Sequence, residues 1–376
     1  MMTGSKLRVV VIGTGNLAGI AVRALAGRKD VELVGVWGRS RNLGTDAGLL
    51  DSDTPCGVII TGDIAAILAL KPDCAVMAIN ERDGVKAQAI NGEWFVRLLE
   101  AGINVVTASD GGLVYPPAHG DQAYVARLEA AARKGGATLY MNGQEPGFVE
   151  HMALLCATLS NTIKRITSYE LFNYSSIKAR EEMSLNFGFD EPMEFEGFLE
   201  RPGYQMAVWG NPITNVVEAL GYKVERYTEL YEKRVTDKRI RVGWGTIEPG
   251  KVAAVRIRTS AWVEGREAVV VEHVNRMDPD LAPDWERADT VGCMRIRIEG
   301  DPNAVMECNI GDPMKPEELA YDGYLMTAMR IVNAIPLVCA APPGITTFRD
   351  LPLTLPSGAF RSDATVIDHK IMRANT

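Results

Sequence analysis

The stretch Val9-Val10-Val11-Ile12-Gly13-Thr14-Gly15-Asn16-Leu17-Ala18-Gly19 constrains this chain most. Four β-branched apolar residues suit a parallel strand buried on both faces. Gly13 suits the tight turn that follows. Gly15 removes a side chain where a pyrophosphate would approach the backbone, and Ala18 is small enough for close helix–strand packing. The next helix aims its free N–H groups, from Asn16 and Leu17 onward, at the phosphates. Glycine turns also serve plain packing. The G-x-G-x-x-A spacing points to a dinucleotide because it joins an apolar strand to a helix and precedes a second strand.

That second strand is predicted at Val31–Trp37, and it exits into Gly38-Arg39-Ser40-Arg41. Dinucleotide folds that prefer NAD usually place an acidic residue here, on the ribose 2′-hydroxyl. Two cations and a hydroxyl suit a 2′-phosphate instead, so NADP is the expected cofactor, with NAD the alternative. Further buried strands are expected at Gly57–Thr61, Cys74–Ile79, Ile103–Ala108 and Ala137–Met141. Helices are expected between them, with Asp63 or Thr61 as one cap and Pro146 in the first turn of another. This alternation gives a doubly wound parallel sheet of the Rossmann type.

From about Ile163 to Ile310 the pattern becomes apolar–charged alternation, as in Met294-Arg295-Ile296-Arg297-Ile298-Glu299. Period-two alternation predicts a mostly antiparallel sheet with one wet face. A helix is expected over Tyr204–Leu220. Helical pattern returns at Tyr324–Ala334, and the turn-rich tail after Pro342 is expected to fold back over the first domain without a strand of its own. The chain therefore divides into residues 1–150 plus 320–376, binding the dinucleotide, and an α+β domain over 151–319 for substrate and dimerisation. A sheet with an exposed face or edge is one that proteins tend to cover, so a homodimer through this domain is expected.

A net charge of -8 without a basic run argues against nucleic acid. No apolar run reads as long enough to cross a bilayer. Six scattered cysteines without C-x-x-C read as buried free thiols, which suits the cytoplasm. Four histidines share no metal spacing, so no metal is expected.

Three stretches carry a family resemblance: V-I-G-T-G-N at 11–16, N-G-Q-E-P-G-F-V at 142–149, and Thr327-Ala-Met-Arg-Ile-Val-Asn-Ala-Ile-Pro336 with Ala341-Pro-Pro-Gly-Ile345 and Asp350-Leu-Pro352. Together they resemble the dihydrodipicolinate-reductase-like superfamily, in particular the branch of 2,4-diaminopentanoate dehydrogenase and the native amine dehydrogenases. The resemblance implies an NAD(P)-dependent, two-domain enzyme, often homodimeric. Its amine-acting members interconvert a ketone plus ammonia with a primary amine. Those members carry a glutamate after the fifth strand, before a Tyr-Pro pair. Here Asp110 is the nearest equivalent, in Ser109-Asp110-Gly111-Gly112-Leu113-Val114-Tyr115-Pro116. Glu145 stands where the family has asparagine.

Ligands of open α/β sheets sit beyond the carboxyl ends of the strands. Asn80, Ser109-Asp110 and Asn142 to Glu145 fall there. Asn80, Ser109 and Asn142 are assigned to the cofactor, and Asp110 and Glu145 to the catalytic proton. Gly111 and Gly112 are expected to leave room for a substrate. If the two carboxylates face one space, one should be raised in pKa and act as the acid. Asp110 also suits a plain turn and Glu145 a helix start; Tyr140 and His151 are further acids with core readings. The function expected is hydride transfer between a nicotinamide and a ketone, imine or amine. The alternatives are carbonyl reduction without ammonia and a non-catalytic NADP-binding redox sensor.

Overall fold

The computed structural model describes residues 5–79, 84–312 and 315–360. β1 (Leu7–Ile12) runs into α1 (Asn16–Ala26) through Gly13, whose φ is +131°. A Cβ there would lie 2.6 Å from the Ala78 carbonyl oxygen, so the turn admits only glycine. β2 (Val31–Trp37) follows as expected.

β3 is only Ile60–Thr61. The expected strand is shorter because Val58 and Ile59 are drawn to another partner. The Val58 carbonyl accepts from Ala47 N–H, and Ile59 bridges Asp46. The helix α2 (Ile64–Ala69) is capped by Asp63, whose Oδ1 accepts from Ala65 and Ala66 N–H at 2.8 and 3.2 Å. β4 (Cys74–Met77), α3 (Gly84–Glu100), β5 (Asn104–Thr107), α4 (Gln122–Gly135), β6 (Thr138–Met141) and α5 (Phe148–Ala157) complete the alternation. Gly136 ends α4 in the left-handed region at φ +68°.

Residues 149–323 form a compact unit of their own. It contains β7 (Thr162–Asn173), α6 (Arg180–Phe187), α7 (Tyr204–Ala219), β8 (Arg226–Val235), β9 (Ile240–Val242), β10 (Gly245–Ile247), β11 (Val252–Val263), β12 (Arg266–Arg276), β13 (Gly292–Asp301) and β14 (Ala304–Ile310). The main sheet has the order β14-β13-β7-β12-β11-β8, and every pair is antiparallel except β7–β12.

α7 covers one face across β11 and β12. The opposite face, expected to be simply wet, is an alternating lattice of half-buried charges. Arg256 pairs with Glu232 and Glu272 at 3.1 and 2.9 Å, and Arg258 with Glu272 and Glu267 at 2.9 and 2.6 Å. Arg165 links Glu267 to Glu299, and Arg295 links Glu286 to Glu307. Successive strands place opposite charges side by side, which is why arginine and glutamate alternate across the registers.

The chain returns through α8 (Leu319–Val332), α9 (Ile335–Ala340) and β15 (Gly344–Thr346). The tail therefore does hold a strand. β15 adds in parallel to β6 and completes the sheet β15-β6-β5-β4-β1-β2-β3. With residues 324–360, the N-terminal residues up to 148 make the first compact unit, and residues 149–323 are the second. By length and composition, the 22-residue stretch Leu319–Ala340 is apolar enough to cross a membrane, contrary to the expectation from sequence. Part of it is core: α9 packs on β5 and β6, and Ala328, Ile331, Val332, Ile335 and Val338 are fully buried.

Candidate active site

The dinucleotide cradle lies at the carboxyl end of β1. A Cβ at Gly15 would meet nothing within 4 Å, so this exposed turn faces open space. α1 has no acidic residue in its first turn and no side-chain cap. Its N-terminal amides, at half-buried Asn16 and Leu17, suit an anion. These residues fit the pyrophosphate of a nicotinamide dinucleotide.

Arg39, Ser40 and Arg41 are exposed on the loop after β2. Gly38 brings that loop against the fingerprint, since a Cβ there would lie 2.9 Å from the Thr14 methyl. Asp46 holds the loop from within, accepting from the N–H groups of Gly48, Cys56 and Gly57, each at 2.8 Å. Those amides keep its carboxyl below the usual range. The sequence reading gave Trp37 no role. Its indole donates to the Gly62 carbonyl at 3.1 Å, and its ring lies 4.6 Å from Trp94 of α3.

At the end of β5, Thr107 Oγ1 donates to the Met77 carbonyl at 2.9 Å and accepts from Ser109 N–H at 3.0 Å. Asn91 holds the Ser109 carbonyl at 2.8 Å. This fixed turn presents Asp110, whose side chain is 13% exposed. The Tyr124 hydroxyl donates to Asp110 Oδ2 at 2.9 Å, and His119 Nε2 stands 3.9 Å from Oδ1. Burial raises the Asp110 pKa, while Tyr124 and then His119 pull it back. The groups acting on Asp110 are thus the Tyr124 and His119 side chains and the Gly112 N–H, and the rise comes from burial rather than from Glu145.

The two glycines beside Asp110 do not leave room for a substrate. A Cβ on Gly112 would lie 2.5 Å from His119 Cδ2, and one on Gly111 would lie 3.3 Å from Pro146 Cγ. The missing side chains make way for protein.

Glu145 is half-buried in the turn after β6. Pro146 precedes α5 by two residues instead of sitting in its first turn, and the chain enters the helix through Gly147 at φ +132°. Any Cβ on Gly147 would lie 2.6–2.8 Å from the Asn142 carboxamide. Asn142 itself is fully buried. Its Oδ1 accepts from Arg330 Nε at 2.8 Å, and among the described residues its Nδ2 meets no hydrogen-bond acceptor in good geometry. The side chain thus anchors α8 rather than facing open space. Thr327 Oγ1 accepts from Gln144 N–H at 3.2 Å, so two residues of the resembling stretch 327–336 hold the 142–148 turn. Asn80 lies outside the described residues. Tyr140 is core, and burial pushes its hydroxyl up to about 12; His151 is half-buried on α5.

The second unit holds a buried polar cluster that the sequence reading missed. Glu170 Oε1 accepts from the Tyr174 hydroxyl at 2.6 Å and from Asn275 Nδ2 at 2.9 Å, with His273 Nδ1 at 3.4 Å. Burial opposes the charge, but His273, Tyr174 and Asn275 together hold the carboxyl below its usual range. The Trp209 ring lies 4.6 Å from His273. The available signal was the 4-residue spacing of Glu170 and Tyr174, but their pairing with β12 could not be read from the chain alone.

A glycine-turn cradle on a seven-stranded parallel sheet, with an acid beyond the carboxyl end of β5, two strands away, defines an NAD(P)-dependent oxidoreductase. Residues 207–366 match the 2,4-diaminopentanoate dehydrogenase C-terminal domain family. The chain is 30% identical to an amine dehydrogenase of Streptomyces virginiae, over 92% of this chain and 96% of that one. It is 24% identical to the 2,4-diaminopentanoate dehydrogenase of Acetoanaerobium sticklandii, over 93% and 94%. The structure of an amine dehydrogenase from Mycobacterium smegmatis superposes with a TM-score of 0.73 at 25% identity, covering 94% of this chain and 98% of that one. The chain belongs to the family of amine dehydrogenases and 2,4-diaminopentanoate dehydrogenase.

Proposed function

We propose that the protein catalyses reductive amination of a ketone by ammonia, and its reverse, with Asp110 managing the proton. The observation that carries this reading is Asp110 itself: an acid at the end of β5, raised by burial and steered by two side chains. Ketone, ammonium, reduced cofactor and one further proton give the alkylammonium, oxidised cofactor and water. The cofactor supplies the hydride when bound. Asp110, protonated, gives the proton that leaves with the carbonyl oxygen as water; ionised, it steadies the developing iminium charge. Gly13, Gly15, Asn16 and Leu17 would hold the pyrophosphate. Arg39, Ser40 and Arg41 would hold a 2′-phosphate, which favours NADP over NAD.

The charge lattice on one face of the six-stranded sheet supports a homodimer through that face. All six cysteines are free, which supports a reducing compartment such as the cytoplasm.

The test is oxidation of NADPH or NADH by the purified protein with a panel of small aliphatic and cyclic ketones, with and without ammonium chloride. Turnover that needs ammonium supports the reading. Equal turnover without it means carbonyl reduction, and no turnover with any ketone removes the reading.

A further inference from the structure

Asp110 is flanked by a short segment held in place by its own hydrogen bonds. His119 Nδ1 accepts from Asp121 N–H at 3.0 Å. Nδ1 also lies 3.2 Å from the Asp121 carbonyl oxygen, so the Asp121 backbone holds this edge of the ring in either tautomer and leaves Nε2 facing Asp110. Asp121 Oδ1 in turn accepts from Tyr124 N–H at 2.9 Å as the cap of α4. Gln88 steadies the other Asp121 oxygen at 3.1 Å. Gln122 Nε2 donates to the carbonyls of Pro116, Pro117 and His119, at 3.0, 3.3 and 2.7 Å. Asp121 therefore ties the His119 ring to the backbone at Tyr124, and Gln122 fixes the turn that carries His119. The rings of His119 and Tyr124 lie 5.4 Å apart. Gly112 leaves the space that lets His119 come this close.

The two partners act on different oxygens. Tyr124 makes a hydrogen bond to Oδ2. His119, at 3.9 Å from Oδ1, is too far for a hydrogen bond, and its charge acts on that oxygen only when the ring is protonated. Burial and the Asp110 carboxylate push the Tyr124 hydroxyl well up, so it remains the donor. The other charged groups on this segment are Asp121, which faces His119 and Tyr124, and Arg127 of α4, which acts on Tyr124.

We propose that Tyr124 and His119 are positioning residues for the catalytic proton: Tyr124 fixes the Asp110 carboxyl in one orientation, and His119 sets how readily its other oxygen holds the proton. This rests on the reading of Asp110 as the acid. It adds to that reading the stretch His119-Gly-Asp-Gln-Ala-Tyr124, which no sequence motif singled out.

The test is the pH dependence of kcat for reductive amination, with the ketone and cofactor that turn over fastest, for wild type, Tyr124→Phe, His119→Gln, Gly112→Ala and Asp110→Asn. Tyr124→Phe should lower kcat roughly tenfold to a hundredfold, as for a hydrogen bond to a charged group. The KM for cofactor should stay put. Both partners favour the ionised carboxyl, so losing either moves the limb set by Asp110 to higher pH. Gly112→Ala displaces His119 without altering it and should shift the limb as His119→Gln does. If Tyr124→Phe does not fold, these two variants carry the test. Reduced kcat with an unmoved limb, or unchanged kinetics, overturns the proposal while a collapse in Asp110→Asn leaves the acid in place. Wild-type turnover in Asp110→Asn removes both.

Discussion

Arg330 Nε donates to Asn142 Oδ1 at 2.8 Å, across 188 residues of sequence. The bond fastens α8 to the turn between β6 and α5, and the Arg330 guanidinium lies 5.7 Å from the centre of the Phe148 ring. Asn142 is fully buried, so removing Arg330 strips its Oδ1 of that donor inside the protein. Arg330→Leu should destabilise the fold by about 1–3 kcal/mol and lower turnover by loosening the 142–148 turn. Urea unfolding measures the first effect. Unchanged stability would mean that the bond contributes nothing net.

Glu170 gives a prediction of larger size. It is charged, buried, and shared by Tyr174, Asn275 and His273. Glu170→Ala should cost about 3–5 kcal/mol, because it strands three polar partners in a closed interior. Glu170→Gln keeps an acceptor oxygen and should cost less. Its folded pKa is depressed, so its stabilisation is present above the ordinary value of 4.5 and is lost as pH falls through the lower folded value. Chemical unfolding at several pH values checks both statements; equal losses for the two substitutions would rule the cluster out as an electrostatic one.

The local signals in this chain were legible and the long-range ones were not. β1, α1, β2 and the ends of β5 and β6 follow from apolar runs closed by glycines, because buried parallel strands leave a local record. The same logic misjudged Val58 and Ile59, whose pairing is decided by the Asp46 loop. It also misjudged the tail, where three residues suffice for β15 because β6 offers an open edge. Asp110 was found through its place at a strand end. Its partners Tyr124 and His119 were not, since nothing in their spacing says that α4 begins over that turn. Gly111 and Gly112 were read as free space, and only packing shows that His119 and Pro146 fill it.

The loop Arg39-Ser40-Arg41 yields a cofactor prediction. Arg39→Ala should weaken NADPH binding roughly tenfold to a hundredfold, as expected for one charge-assisted bond to phosphate, and leave NADH binding little changed. Calorimetric titration with each cofactor decides it. A wild type that binds NADH more tightly would contradict the preference.

The lattice face of the second unit predicts a salt-sensitive dimer. Its paired arginines and glutamates are half-buried already, so facing a second copy requires little new desolvation per pair. Sedimentation at micromolar concentration should show a dimer that weakens in high salt. A monomer at all salt concentrations would speak against it.

The catalytic proton gives the last prediction. Asp110 lies in the turn just beyond β5, two strands from the fingerprint strand β1, and its acid form is favoured by burial. Asp110→Asn keeps the shape and removes the titrating proton. kcat should fall by about 10²–10⁴, the span of general acid–base catalysis, with cofactor affinity preserved. The same residue leaves a mark on stability. Its folded pKa lies above the ordinary 3.8, so its contribution to stability is fully present below 3.8 and is lost as pH rises through the raised folded value. The wild type should therefore lose stability over that interval relative to Asp110→Asn, in which no charge has to be buried. Turnover and pH-dependent unfolding are independent readouts of one carboxyl. A variant that loses turnover without altering the stability profile would place the proton elsewhere, and Glu145, half-buried in the adjoining turn, would be the next residue to substitute.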